Sequence, residues 1–337
     1  MNIDVTDWVD FGWQGVRLRV PAQWSLGKIE GNYKNGYARL DDASTVRLEV
    51  EWRESPPARR RRLPIEDLVT KYLSSLEKKA EKTGLEFTVE RQARFLKDKR
   101  WLEGDEYETF TWEADYRAYN LARVCKQCGR IMLLRVLGKA GESNIAEVAE
   151  EIFRSLQDHP TDGSVFWCVY GLEFSVPKEF SLSENQLKSG NIQLTFESKD
   201  HVCRVQRLSM ANQLLKGTDL TSWYSNFFKK QLRDLIYDTH EISESGHEAL
   251  AVEGRPRSRW RQFLRPLPFL NPRPRQYLDG RVWHCEATNK ICVVDHLYKK
   301  KDERDELCAV LSQGYVCHQE KAQADSRSDA ELATSTE

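Results

Sequence analysis

The sequence lacks the signals that would assign it to a membrane, secretory or catalytic class. No apolar run approaches the length of about 20 residues that a membrane-spanning helix needs. Residues 1–15 have no basic region followed by an apolar core, so we expect no signal peptide. The motifs G-x-G-x-x-G, P-loop, G-x-S-x-G and H-E-x-x-H are missing as well. These absences favour a non-enzymatic protein without a transmembrane segment.

Net charge and cysteine content are both low. The 51 basic residues nearly balance the 52 acidic ones, so affinity for nucleic acid or a membrane surface would need a local patch. Eight irregularly spaced cysteines in 337 residues are too sparse for a secreted disulfide framework. We therefore expect reduced thiols and a cytoplasmic location. Ten Trp, twelve Tyr and thirteen Phe are enough to fill two cores.

The chain contains an internal repeat. Residues 15–26 read GVRLRVPAQWSL and residues 171–182 read GLEFSVPKEFSL, with five of twelve positions identical. Each copy begins with the alternation of a β-strand, which Pro21 or Pro177 should end because proline lacks the N–H that pairs strands. A repeat at this spacing predicts two domains of the same plan.

The elements that follow match in order. Each copy continues with a two-stranded hairpin, an amphipathic helix, further strands, a hairpin around Cys125 or Cys285, and a closing helix. The first helix predicted in each copy carries apolar residues at helical spacing: Ile65, Leu68, Val69, Tyr72, Leu73 and Leu76 in one; Leu220, Trp223, Tyr224, Phe227, Phe228 and Leu232 in the other. We predict domains at residues 1–159 and 164–318, and a disordered tail at 319–337, which has no aromatic residue.

The motifs Val20-Pro21 with Trp24, Val176-Pro177 with Phe180, and the stretch ending at Ala249 carry a resemblance to the PsbP-like family. This family includes the photosystem II extrinsic subunit and Ran-binding nuclear-import factors. The resemblance implies an α+β fold in which each domain is an antiparallel sheet flanked by helices. It also implies a binding or scaffold protein rather than an enzyme.

A metal site is predicted by Cys125-Lys-Gln-Cys128-Gly129, which lies between two strand-like segments. Cys-x-x-Cys-Gly on a hairpin turn is typical of a zinc knuckle, because the turn directs both thiolates at one point. A structural Zn²⁺ needs four ligands, and one knuckle supplies two. Aligning Arg130-Ile131 with Lys290-Ile291 places Cys285 opposite Cys125 and adds His284 beside it. The predicted ligand set is therefore Cys125, Cys128, His284 and Cys285, provided that the strand ends or bulges at His284.

Alternatives to this ligand set remain open. Cys292 competes as a ligand across the second hairpin, and Cys317-His318 is a further pair. Cys125 and Cys128 would otherwise be ordinary turn thiols; a redox role is disfavoured because strands flank the motif, whereas redox Cys-x-x-Cys opens a helix. The apolar surroundings of four other cysteines predict buried core thiols: Cys168, Cys203, Cys308 and Cys317.

Residues 255–275 form an arginine- and proline-rich insertion in the second copy. Arginine interleaved with aromatic residues suits an acidic protein partner, nucleic acid or an anionic lipid surface. The residues predicted to contact a partner are Arg255, Arg257, Arg259, Trp260, Arg261, Phe263, Arg265 and Phe269. The insertion is equally compatible with a stiffened loop packed on its own domain.

We therefore expect a non-enzymatic binding or adaptor protein with a structural zinc site and a protein partner. Two alternatives belong to other classes. One is a metal- or thiol-dependent enzyme using Cys125 and Cys128 with an open coordination position. The other is a nucleic-acid or anionic-membrane binder acting through the arginine-rich insertion.

Overall fold

The computed structural model describes residues 5–55, 63–139, 141–160, 162–257, 276–300 and 306–318. The chain divides into two compact units, Met1–Leu182 and Ser183–Glu337. The boundary between the units does not coincide with the boundary between the two copies of the repeat. The first hairpin of the second copy, before Leu182, belongs to a sheet of the first unit.

That sheet has four antiparallel strands and joins equivalent hairpins of the two copies. Its strands are β1 (Trp8–Trp13), β2 (Val16–Pro21), β10 (Ser164–Val169) and β11 (Leu172–Pro177), in the order β11-β10-β1-β2. Gly12 of β1 pairs with Cys168 of β10, and these residues occupy the same position in the repeat. A Cβ at Gly12 would lie 2.6 Å from Cδ1 of Phe166 and 2.8 Å from the backbone nitrogen of Cys168, so the close approach of β10 requires glycine.

The first unit also contains a seven-stranded antiparallel sheet. Its strands are β3 (Ser25–Gly31), β4 (Asn35–Asp41), β5 (Val46–Arg53), β6 (Thr88–Arg91), β7 (Glu106–Glu113), β8 (Tyr116–Val124) and β9 (Ile131–Lys139), in the order β3-β4-β5-β9-β8-β7-β6. Two α-helices, α1 (Ile65–Thr83) and α2 (Ile145–Arg154), and a 3₁₀ turn at Arg100–Leu102 complete it.

The second unit repeats this topology. Its sheet runs β12-β13-β14-β18-β17-β16-β15. The strands are β12 (Ser181–Lys188), β13 (Asn191–Ser198), β14 (His201–Ser209), β15 (Leu235–Glu244), β16 (His247–Pro256), β17 (Tyr277–Cys285) and β18 (Lys290–Tyr298), and the helices are α3 (Ala211–Leu214), α4 (Leu220–Phe227), α5 (Lys229–Leu232) and α6 (Leu307–Gln313).

The predicted α+β class is wrong, because the structure is mostly β. Strands account for about 50% of it and helices for about 20%. The sequence prediction missed β1 and β10. These strands pair with β2 and β11, the strands that end at Pro21 and Pro177, and the four form a sheet of their own. It also expected one long helix at residues 220–232, where the chain forms two short ones, α4 and α5, separated at Phe228.

Each seven-stranded sheet buries one face under a helix, α1 in the first unit and α4 in the second. In the first unit the core beneath α1 contains Ile65, Val69 and Leu73 with Phe110 and Ile131. In the second unit the corresponding core contains Trp223, Tyr224 and Phe228. Val69 and Leu73 correspond in the repeat to Tyr224 and Phe228, so these two positions carry aliphatic residues in one copy and aromatic residues in the other.

Candidate metal centres

Two groups of metal-ligating side chains lie within the described residues, one in each unit. The first cluster consists of Cys125, Cys128, Asp158 and His159, and the second of His247, Cys285, Cys317 and His318. In each cluster the four donor atoms lie within 4.8 Å of one another. Both clusters could hold a metal ion.

The clusters occupy equivalent places in the fold. In each, a cysteine stands at the end of the strand that enters a hairpin, Cys125 after β8 and Cys285 at the end of β17. A pair of residues follows the closing helix in each unit, Asp158-His159 after α2 and Cys317-His318 after α6. In both copies of the repeat, therefore, side chains from a hairpin lie next to side chains from the segment after the last helix.

The hairpin turn of the first cluster is closed by backbone hydrogen bonds. The N–H of Cys125 donates to the carbonyl of Arg130 at 3.0 Å, and the N–H of Gly129 donates to the carbonyl of Cys125 at 2.9 Å. Gly129 has φ of 71°, a left-handed conformation that favours glycine. This geometry turns the chain so that Cys128 faces back toward Cys125.

The donor atoms of the first cluster lie close together. The distance from Cys125 Sγ to His159 Nδ1 is 3.7 Å, and that from Cys128 Sγ to Asp158 Oδ2 is 3.3 Å. Around a tetrahedral Zn²⁺, with Zn–S near 2.3 Å and Zn–N near 2.0 Å, a sulfur and a nitrogen ligand are about 3.5 Å apart. These two distances are close to the edge length of a zinc tetrahedron.

Residues around the first cluster orient its ligands. His159 Nε2 lies 2.8 Å from Oε1 of Gln127, and His159 Nδ1 lies 2.9 Å from Oδ1 of Asp158, so each ring nitrogen has a polar neighbour that orients the imidazole. Arg123 lies 3.7 Å from the carboxylate of Asp158, and Arg130 Nη1 donates to the Asp158 carbonyl at 2.8 Å. These contacts fix the segment after α2 against the hairpin.

The second cluster has the same spacing with different ligands. His247 Nε2 lies 3.2 Å from Cys317 Sγ, and His318 Nδ1 lies 3.4 Å from Cys285 Sγ and 3.2 Å from Cys317 Sγ. Thr288 stands where the first copy has Cys128, and its hydroxyl donates to Cys285 Sγ at 3.2 Å. His247, at the start of β16, supplies the fourth donor instead.

Burial favours the uncharged forms of Cys128, Cys317 and His247 when no cation is present. Burial raises the pKa of Cys128 to about 12, and the nearby Asp158 carboxylate raises it further. Burial also raises the pKa of Cys317. The pKa of His247 is lowered, first by burial and then by His318 and His284, which favours the neutral imidazole that ligates metals. A bound cation would displace the thiol protons.

The predicted ligand set combined residues of both copies, whereas in the structure each cysteine clusters with residues of its own unit. Cys125 and Cys128 meet Asp158 and His159, and Cys285 meets His247, Cys317 and His318. His284 is in neither cluster: β17 stays regular through Cys285, so the two side chains alternate between sheet faces. The Nε2 atom of His284 is buried and has no hydrogen-bond partner among the described residues.

The remaining cysteines lie elsewhere in the core. Cys292 pairs with Trp283 across the β17–β18 hairpin, and burial raises its pKa to about 12. Cys168, Cys203 and Cys308 are buried, and none of them forms a disulfide with another described residue. None of these four belongs to either cluster in the described part of the chain.

Sequence reasoning missed Asp158, His159 and His247. None of the three was named as a candidate ligand. One signal was present: both pairs follow a closing helix, and His159 lies 34 residues after Cys125 while His318 lies 33 residues after Cys285. Extending the alignment through these helices would have paired the two histidines.

Most of the arginine-rich insertion lies outside the described residues. This applies to Arg259, Trp260, Arg261, Phe263, Arg265 and Phe269. Arg255 lies in β16 opposite Ile236, and Arg257 Nε donates to the carbonyl of Leu235 at 2.9 Å. Among the described residues no helix has the length and apolarity needed to cross a membrane.

Comparisons with known proteins add little. No family model matches the chain, and no curated protein matches its sequence. Among solved structures it is similar to TplEi, an immunity protein of T6SS from Pseudomonas aeruginosa complexed with "L" peptide, at 10% identity over 93% of this chain and 98% of that one. The TM-score is 0.36, which supports no conclusion about fold or function.

Proposed function

We propose that the chain is a non-enzymatic binding protein whose two units each hold one structural Zn²⁺. The observation that carries this proposal is the recurrence of a four-donor Cys/His cluster at equivalent places in the repeat. One cluster could arise by chance in a cysteine-containing core. Two clusters built from equivalent elements, with partly different ligands, are better explained by a retained function.

The ligand chemistry favours a structural ion over a catalytic one. Cys₂His₂ in the second cluster is a common structural zinc set, and four protein ligands leave no position for water. Bound Zn²⁺ would tie the segment after the closing helix to the hairpin in each unit. The alternative, a metal-dependent enzyme, requires three protein ligands and one exchangeable water.

Metal content tests the proposal. Protein purified without chelators is expected to contain about two zinc ions per chain, and Cys125→Ser and Cys285→Ser about one each, by elemental analysis. Cys203→Ser, which alters a buried thiol outside both clusters, should keep two. X-ray absorption should show four protein ligands at each zinc. Zinc-free wild-type protein that takes up no added Zn²⁺ would exclude the metal sites, and a bound water would favour the enzyme.

Residues 255–275 remain our proposed partner surface, with an acidic protein as the first candidate. The support is their composition, in which arginine supplies bidentate contacts and aromatic residues supply apolar anchors. Replacing residues 258–275 with a short Gly-Ser linker between β16 and β17 should abolish co-purification of the partner. Salt-dependent binding of an oligonucleotide or of anionic vesicles that is lost with the deletion would instead favour the alternative binders. Unchanged interactions would exclude this surface.

The cytoplasmic location and the PsbP-like relationship also remain proposals. The eight cysteines, all among the described residues, form no disulfide with one another, which is the state expected in a reducing compartment. The PsbP-like relationship rests on the Val-Pro motifs at Pro21 and Pro177, each of which ends a strand.

A further inference from the structure

A cavity of about 630 Å³ lies between α1 and the sheet of the first unit. Its walls are mainly apolar, with Leu68, Val69 and Tyr72 on the helix side and Phe110, Ala122 and Ile131 on the sheet side. This volume is within the range of small-molecule sites, which run from about 300 to 1,000 Å³. The space opens to solvent beside Lys71 and the half-buried Leu68, whereas Val69 and Phe110 at its inner end belong to the packed core beneath α1.

The second unit shows how the same place is filled when it serves only as core. Leu68 and Val69 of α1 correspond to Trp223 and Tyr224 of α4 in the repeat. Trp223 is 6% exposed and Tyr224 is 1% exposed, and both belong to the core cluster of that unit. Tyr224 reaches across to the sheet, where its hydroxyl donates to Asp295 at 3.2 Å. The first unit has small aliphatic side chains at the positions where the second has large aromatic ones.

The mouth of the cavity carries positive charge at two positions where the second unit has uncharged residues. Arg53 and Lys71 are exposed and line the cavity. Neither forms an ion pair with the described part of the chain. The equivalent of Arg53 is Leu208: in the two sheets these residues pair with Ile131 and Ile291, which align in the repeat. Lys71 corresponds to Asn226.

The acidic residue at the mouth does not cancel these cations. Glu51 also lines the cavity, and Arg135 lies 3.6 Å from its carboxylate. Two cations therefore face solvent beside an apolar interior, and both are specific to the unit that has the cavity. An apolar chain with an anionic end matches this arrangement: the chain would occupy the space between α1 and the sheet, and its acid group would meet Arg53 and Lys71.

We propose that the first unit binds a small amphipathic carboxylic acid, with its alkyl chain between α1 and the sheet and its carboxylate at Arg53 and Lys71. This proposal is independent of metal binding. It assigns to one copy of the repeat a ligand site that the other copy has closed with aromatic side chains.

Isothermal titration of the full chain with octanoate, decanoate and dodecanoate tests it. Each added CH₂ should strengthen binding by about fourfold, the factor expected for burial of one methylene. Leu68→Trp, which introduces the residue of the second unit, should weaken dodecanoate binding by at least about tenfold because it occupies the cavity. Leu68→Phe should give a smaller loss. Circular dichroism and thermal unfolding of both variants show whether the unit is still folded.

Charge is tested separately. Arg53→Leu, again the residue of the second unit, should weaken dodecanoate by about tenfold and leave 1-dodecanol unchanged, since only the acid needs the cation. Lys79→Leu alters an exposed cation of α1 that does not line the cavity, and it should have no effect. The proposal is wrong if no acid binds the wild-type chain, if folded Leu68→Trp binds as tightly as wild type, or if Arg53→Leu weakens acid and alcohol equally. Dimerisation of the wild type without acid binding would show that a second copy covers the site.

Discussion

Replacing Cys317 with serine is expected to remove one zinc ion per chain and to destabilise the second unit while leaving the first intact. Cys317 lies between His247 and His318, at 3.2 Å from a ring nitrogen of each, so its thiolate would be a central ligand of the second cluster. A ligand that binds only the folded state stabilises it by about 4 kcal/mol at a free concentration a thousand times its Kd. Loss of the ion should therefore lower the free energy of unfolding of this unit by several kcal/mol.

Hydrogen exchange locates the effect. Peptides covering β17 and β18 should exchange faster in Cys317→Ser, whereas those covering β8 and β9 should be unchanged. Cys308→Ser makes the same chemical change at a buried cysteine of α6 outside the cluster, and it should keep both zinc ions. Addition of a strong chelator to the wild type should reproduce the variant's exchange pattern in the second unit. Equal zinc content in Cys317→Ser and the wild type would contradict the assignment of Cys317 as a ligand.

Much of the local structure could be predicted because it depends on residues that are neighbours in sequence. Pro21 and Pro177 end β2 and β11, and apolar residues at helical spacing mark α1 and α4. The overall class was wrong because helical patterns received too much weight. The pairing of β1 with β10 is a tertiary contact: it depends on the absence of a side chain at Gly12, and no periodicity in either strand reveals it.

The metal clusters illustrate the same limit. Cys125 and Cys128 were recognisable because a hairpin turn alone brings them together. Asp158 and His159 join them only because α2 returns the chain to this hairpin, and His247 joins its cluster only because β16 starts beside β17. The correspondence between the clusters was also hidden because Thr288 stands at the position of Cys128. The fourth donor of the second cluster is instead His247, which lies at a different turn.

Substituting Arg47 with methionine should destabilise the first unit by about 3 kcal/mol or more at pH 7. The Arg47 side chain is 5% exposed and contacts two carboxylates of 17% and 11% exposure, those of Asp42 and Glu142. Its Nε donates to Asp42 at 2.5 Å, and its two Nη groups donate to Glu142 at 2.6 and 2.8 Å. Methionine preserves the apolar stem but leaves two mostly buried carboxylates without their cation, which typically costs about 3–5 kcal/mol.

The loss of stability in Arg47→Met should depend on pH, and the pKa values of the two carboxylates determine whether it grows or shrinks as pH falls. Burial alone would raise the pKa of Asp42, but hydrogen bonds from the Ser44 N–H and from Arg47 outweigh it and lower the pKa to about 2. The hydrogen bond from Arg47 is the main cause that lowers the pKa of Glu142. Groups with depressed pKa stabilise the fold above their unfolded values, near 4, and lose this contribution as pH falls toward 2. The gap between wild type and Arg47→Met should therefore be widest at neutral pH and narrow toward pH 2.5.

Urea unfolding at pH 7 and pH 3 measures this gap. Any loss of metal in acid should affect both proteins alike and cancel in the difference between them. Lys299→Met provides the matched control, because Lys299 pairs with Asp200 at the surface of the second unit, with side chains 45% and 38% exposed. Solvent screens such a pair, so its removal should leave stability nearly unchanged. A gap for Arg47→Met that is equally wide at both pH values would mean that lost packing, rather than unpaired carboxylates, causes the destabilisation.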